Sequence, residues 1–173
     1  NEEENNLILL GLIGLKDPVR DNIKESIKEC LSANIRPIML TGDNLTTATS
    51  IAKEVGICKS EEECINATEL EGLSQKELIK YIKKYSVFAR VSPENKLQIV
   101  ESFQKIGKVV AMTGDGVNDA PAIKLANVGI GMGKSGTDVT KDTADIILLD
   151  DSFNTITVAI SEGRRIYDNV ITN

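Results

Sequence analysis

The stretch from Val109 to Pro121, VVAMTGDGVNDAP, restricts the fold more than any other part of the chain. Val109, Val110, Ala111 and Met112 form a short apolar run that reads as a buried strand. The run breaks into Thr113-Gly114-Asp115-Gly116 and then Val117-Asn118-Asp119. Two glycines allow a sharp turn and close approach of the backbone to a ligand. Two carboxylates and an amide follow just beyond the strand end, where open α/β sheets hold their ligands. Oxygen donors on a tight turn suit a hard cation such as Mg²⁺ together with a phosphate. An Asp-Gly pair alone is an ordinary turn, so this reading depends on the rest of the chain.

The rest alternates between strand and helix patterns. Leu7 to Leu15 is apolar on both faces and reads as a buried strand, ended by Asp17-Pro18. Ile23, Ile27, Cys30 and Leu31 recur at helical spacing and predict an amphipathic helix over Val19 to Ala33. Ile35 to Leu40 reads as a second strand running into Thr41-Gly42-Asp43-Asn44. Asp43 or Asn44 can cap the helix that follows, through about Val55, with Gly56 past its end. A hydroxyl, a glycine and a helix start after a strand make an anion site if they face the same crevice as Asp115, and a plain N-cap otherwise.

Cys58 to Gly72 shows no regular pattern, and its acidic run at Glu61 to Glu63 reads as a solvated face. Ser74 and Glu77 have capping-box spacing ahead of Leu78, Ile82 and Tyr85. Ser86 to Ala89 is a short strand, and Ser92-Pro93-Glu94 starts a helix with a face of Val100 and Phe103. Lys96 falls in that helix's first turn, where the dipole disfavours a cation. It is either a surface lysine or one aimed at a phosphate held near Asp115. Ala120 to Ala126 reads as a short helix and Asn127 to Gly131 as a strand. The glycine-rich Met132 to Thr140 lacks the G-x-x-x-x-G-K-[ST] spacing of a P-loop and reads as a connection. Ala144 to Leu149 is the last strand, and Asp150-Asp151-Ser152 caps a long helix with Phe153, Ile156, Ile160, Tyr167 and Val170 along one face. Such alternation predicts an α/β fold, a mostly parallel Rossmann-like sheet with helices on both faces.

At 173 residues the chain fits a single domain, 1–173. A net charge of −6 argues against nucleic acid or an anionic membrane surface as partner. No apolar run reaches the ~20 residues of a membrane-spanning helix, and no signal peptide is evident. Cys30, Cys58 and Cys64 come without histidine or a CxxC pair, which favours reduced thiols over a zinc site.

Several stretches together resemble one family. Thr41-Gly42-Asp43-Asn44, Val91-Ser92-Pro93-Glu94-Asn95-Lys96 and Met112 to Pro121 are similar to the phosphorylation domain of P-type cation-transporting ATPases. Asp17-Pro18-Val19-Arg20 resembles that family's hinge, with Val19 where a second proline is common. Gly136-Thr137-Asp138-Val139 and Ile147 to Phe153 resemble the type II branch of calcium and sodium pumps. The resemblance runs in order over nearly the whole chain and implies a haloacid dehalogenase-like fold.

It also implies roles. Thr41 binds a phosphoryl oxygen, and Gly42 and Asp43 organise the nucleotide-facing crevice. Lys96 offsets phosphoryl charge, and Asp115 ligates Mg²⁺. Asn118 and Asp119 complete the polar shell around metal and phosphate. ATP and Mg²⁺ are the implied cofactors. The implied partners are the nucleotide-binding, actuator and membrane domains of the same pump and its transported cation, Ca²⁺ first and Na⁺ or K⁺ behind it. No nucleic acid is expected. The family's nucleophile belongs to an Asp-Lys-Thr-Gly-Thr motif that the sequence does not contain. The chain is therefore expected to be the C-terminal part of a phosphorylation domain, a soluble, cytoplasm-facing piece of an integral membrane protein, inactive alone. A stand-alone phosphatase of the same fold needs an Asp-x-Asp on its first strand, and Leu7 to Lys16 has none. A non-catalytic module with this fold is the other alternative. In the dehalogenase-like fold the nucleophile's strand lies between those ending at Thr41 and Met112. Leu7 to Leu15 is expected to fill that slot; an open edge there invites self-association.

Overall fold

The structure is a computed structural model that describes Leu10, Gly11, Val19 and residues 22–171. The stretch expected to fill the central slot, and the hinge-like Asp17 to Arg20, lie outside the described residues apart from Leu10, Gly11 and Val19.

The described chain is an α/β fold with only parallel strand pairing. Its first half contains α1 (Ile23–Ser32), β1 (Met39–Leu40), α2 (Leu45–Val55), β2 (Cys64–Asn66), α3 (Gln75–Lys84) and β3 (Val87–Ala89). Its second half contains α4 (Pro93–Lys105), β4 (Ala111–Gly114), α5 (Ala120–Leu125), β5 (Val128–Met132), α6 (Asp138–Thr143), β6 (Ile146–Leu148) and α7 (Phe153–Ile171). The strands form two ladders, ordered β1-β3-β2 and β4-β5-β6.

β3 shows why the first ladder is buried on both faces. Val87 and Ala89 pack with Ala48 and Ala52 of α2, while Phe88 points the other way, toward Leu78 and Ile82 of α3 and Ile99 of α4. Alternation along a strand sends successive side chains to opposite faces, so every position of a doubly covered strand is apolar. The second ladder is covered less completely, with Ala111, Ile146 and Ile147 exposed. Met112 packs with Ala122 and Ile123 of α5 and Val100 of α4, and Ile130 and Leu148 pack with Ile156 of α7. Adjacent residues of α4, Ile99 and Val100, thus belong to different cores.

Several boundaries differ from the sequence reading. The strand expected over Ile35 to Leu40 shrinks to two residues, because Pro37 has no N–H for a ladder. There the Arg36 guanidinium instead binds the Ile82 and Tyr85 carbonyls. β4 starts at Ala111 rather than Val109, since the Val110 N–H goes to the Asn127 side chain. β2 and α6 arise where loops were expected, and α6 is capped by Thr137, whose Oγ1 accepts the Thr140 N–H. Asn44, not Asp43, caps α2 by accepting the Thr47 N–H. Leu31, Tyr167 and Val170, which share the helical spacing read from the sequence, are exposed.

Among the described residues β1 pairs only with β3, and β4 only with β5. The two strands flanking the expected slot therefore do not close on each other. Among the described residues no helix is long and apolar enough to cross a membrane.

Candidate functional site at the carboxyl ends of the strands

β4 ends at Gly114, and the chain turns back on itself at once. The Asp119 N–H donates to the Gly116 carbonyl (2.9 Å), and Asp119 Oδ2 accepts the Gly116 N–H (3.2 Å). Val117 to Asp119 is a single tight turn leading into α5. The fold of this turn presses the Asp119 side chain against Gly114. A β-carbon at residue 114 would lie 2.6 Å from Asp119 Cγ and 2.8 Å from Oδ2. Glycine is therefore required at 114 for space, not for an unusual φ.

Asp119 Oδ1 meets Lys96 Nζ at 2.5 Å, with only 13% and 16% of the two side chains exposed. This contact resolves the oddity of a lysine in the first turn of α4. Ser92 caps that helix by accepting the Asn95 N–H at 3.2 Å, while Asn95 Oδ1 accepts the Ser92 N–H at 3.1 Å. Lys96 sits against the positive end of the helix dipole, and the Asp119 carboxylate offsets the repulsion. The pair is shielded from solvent, and charge-assisted hydrogen bonds of this kind are stronger than neutral ones.

Asp115 and Asn118 lie on the exposed side of the same turn. The Asp115 carbonyl accepts the Thr137 N–H at 3.0 Å. Its carboxylate engages no hydrogen bond or ion pair among the described residues. Among those residues no three His, Cys, Asp or Glu side chains cluster into a complete metal cage. An exposed carboxylate on a fixed backbone nevertheless fits Mg²⁺, which keeps several waters and binds through one or two carboxylates plus substrate phosphates.

Thr41 follows β1. Its N–H donates to the Phe88 carbonyl and its carbonyl accepts the Val91 N–H, both at 3.0 Å. Its Oγ1 accepts the Asp43 N–H at 3.1 Å, and the Asp43 carbonyl accepts the Arg90 N–H at 3.0 Å. Thr41, Gly42 and Asp43 are thereby tied to the segment that runs into the Ser92 cap and Lys96. Thr41, Lys96, Asp115, Asn118 and Asp119 all lie at the carboxyl ends of their ladders. Two clefts among the described residues, of about 400 and 350 Å³, lie elsewhere, between α1 and α7 and beside Asp150 to Asn154.

Two contacts near these strand ends were not legible in the sequence. Thr137 reaches Asp115 through its backbone, which no side-chain pattern announces. Asp151 adopts a left-handed φ of 55°, and its carboxylate accepts the Lys134 and Ser135 N–H groups at 2.9 and 2.7 Å. Those hydrogen bonds hold its carboxyl down at about 2. Only Asp150 acts as the expected cap, accepting from the Ser152 N–H and the Thr155 hydroxyl. Two successive aspartates at one helix start were the available signal, since one side chain suffices there.

Similarity to known proteins agrees with this architecture. Calcium-transporting ATPase 1 of Bacillus cereus is 52% identical over 167 residues, which are 96% of this chain and 19% of that protein. Calcium-transporting ATPase 1 of Lactococcus lactis is 51% identical over 168 residues, 97% of this chain and 19% of that protein. The chain thus spans about a fifth of the length of these curated relatives. A solved structure of a zinc-transporting PIB-type ATPase in the E2.Pi state aligns with TM-score 0.69 at 30% identity, covering 91% of this chain and 21% of that one. The family model of haloacid dehalogenase-like hydrolases matches residues 2–127. With parallel ladders, a doubly covered core and acidic turns at the strand ends, the chain belongs to the haloacid dehalogenase-like hydrolase family.

Proposed function

We propose that residues 1–173 form part of the phosphorylation domain of an ATP-driven calcium pump and supply its metal- and phosphoryl-stabilising groups. The observation that carries the reading is the shielded Lys96–Asp119 pair beside the outward-facing Asp115. The identity of about 50% to calcium-transporting ATPases supports Ca²⁺ over Na⁺ or K⁺ as cargo.

In this reading Asp115, with Asn118 beside it, holds Mg²⁺, which when bound neutralises charge on the phosphoryl oxygens. Lys96 presents its ammonium to the same phosphoryl group, and Asp119 fixes that ammonium in place. Thr41 offers its hydroxyl and Gly42 its N–H to a phosphoryl oxygen, while Asp43 braces the loop. Phosphoryl transfer needs positioning and charge stabilisation more than covalent help from its surroundings, and these residues supply both. The nucleophilic aspartate comes from a segment outside these residues, as do the nucleotide-binding, actuator and membrane domains.

The test is ATP-dependent ⁴⁵Ca²⁺ uptake into vesicles carrying the full-length protein that contains this segment. Uptake abolished by Asp115→Asn is expected. Uptake of Na⁺ or K⁺ in place of Ca²⁺ would overturn the assigned cargo, and full activity in Asp115→Asn would overturn the assigned site.

A further inference from the structure

Two of the three cysteines form a pair that the candidate site does not use. Cys58 follows the left-handed Gly56 that ends α2, and Cys64 is the first residue of β2. Their Sγ atoms lie 3.6 Å apart, and both residues are buried, at 4% and 7% exposure. The connecting segment is a closed ring of hydrogen bonds. Glu63 Oε1 accepts the Lys59 and Ser60 N–H groups at 2.9 and 3.3 Å. Cys64 Sγ also contacts the Ser60 carbonyl at 3.8 Å. The two sulfurs are therefore held together by the local fold. Cys30 belongs to α1 and has no such neighbour.

We propose that Cys58 and Cys64 are a dithiol oxidation site, converted to an intramolecular disulfide by a hydroperoxide. The sulfurs must close from 3.6 Å to a bond length of about 2.05 Å. The short ring, with its exposed Lys59 and Glu61, can accommodate that movement. Burial and the neighbouring Cys64 push the Cys58 thiol up to about 12. Cys64 sulfur, giving up its proton, attacks one peroxide oxygen. The O–O bond breaks, Cys64 becomes a sulfenic acid, and the other oxygen leaves as water or the parent alcohol. Cys58 sulfur then attacks the sulfenic sulfur, the S–O bond breaks, and the released hydroxyl takes the Cys58 proton to leave as water. The thiol pair is oxidised by two electrons and the peroxide is reduced by two.

The pair lies at the end of the sheet away from the candidate site. Cys64 is in register with Val87, the first residue of β3, whereas Thr41 follows the last residue of β1. The inference is therefore independent of the pump reading.

The chain is treated with hydrogen peroxide and its intact mass recorded. A loss of about 2 Da, reversed by dithiothreitol, is expected. Trypsin cleavage at Lys59 should then leave the Cys58 and Cys64 fragments joined until reduction. Cys30→Ser should still lose the mass. Cys58→Ser should instead accumulate a sulfenic acid on Cys64 that dimedone traps. The oxidised chain should melt at or above the temperature of the reduced chain, which also checks that the disulfide fits the fold. Four results overturn the proposal: sulfinic or sulfonic products without the mass loss, a bridge to Cys30, persistence of the bridge in Cys64→Ser, or a melting point lowered by oxidation.

Discussion

Gly114→Ala tests the packing beneath the candidate site most directly. The new methyl group would meet Asp119 Cγ at 2.6 Å and Oδ2 at 2.8 Å. The backbone of Gly114 is not left-handed, so the substitution acts by collision alone. Asp119 cannot yield freely, because Lys96 and the Gly116 N–H hold its two oxygens. Overpacking of this kind costs about 1–3 kcal/mol. If Asp119 is expelled, the loss of a charge-assisted hydrogen bond adds about 1.5–3 kcal/mol. A total of about 2.5–6 kcal/mol corresponds to a fall in Tm of about 5–24 °C for a chain of this size. The assay is thermal unfolding by circular dichroism, with Gly42→Ala as control, since a β-carbon there meets nothing within 4 Å. In an Asp119→Gly background the obstacle is gone, and Gly114→Ala should cost less than half as much. A Tm unchanged by Gly114→Ala, or an equal loss in both backgrounds, would refute the account.

Other outcomes follow from the same geometry. If the proposed function holds, Lys96→Ala and Asp115→Asn in the full-length protein should each slow phosphorylation about a hundredfold or more, as loss of one preorganised charge-stabilising group does; phosphorylation at the wild-type rate in Lys96→Ala would reduce Lys96 to a structural role. The 173-residue chain incubated with labelled ATP and Mg²⁺ should acquire no acid-stable label, because it lacks the Asp-Lys-Thr-Gly-Thr motif; label lost in Asp115→Asn would reveal a different nucleophile. Asp151 has a folded pKa of about 2, below its ordinary value, so its stabilisation is present above pH ~4 and disappears as pH falls through 2. Asp151→Asn keeps a residue that tolerates the left-handed φ; its Tm deficit should be full at pH 6 and shrink between pH 4 and 2. A deficit constant across that range would show that the charge of Asp151 is irrelevant.

What the sequence disclosed and what it withheld divide along physical lines. Local chemistry was legible: Ser92, Pro93 and Glu94 announce the start of α4, and Ser74 with Glu77 that of α3. Ser86 to Ala89 reads as a short strand, and Val87 to Ala89 forms β3. The turn after β4 was legible because Gly114 and Gly116 break the apolar run that precedes it. Pairings between distant residues were not. Lys96 could be read as exposed or as aimed at a phosphate, and its ion pair with Asp119 depends on how α4 packs beside the β4 turn. The role of Thr137 runs through its backbone, and that of Asp151 through a reversal of the chain. β2 escaped notice because three residues, Cys64-Ile65-Asn66, are too few for a period to show. Pro37 cut the first strand short although its neighbours favour extension.

The position of α4 between two cores has a consequence for how the molecule opens. Ile99 is sealed into the cluster with Phe88, and its neighbour Val100 into the cluster with Met112. No rotation of the helix can free one side chain while the other stays seated. Separate opening of the two ladders would therefore expose half of a shared helix in either case. Cooperative units of this kind exchange their amide protons together. The amides of Phe88 in β3 and Ile130 in β5 should thus report a single opening free energy, although no strand pairing joins their ladders among the described residues.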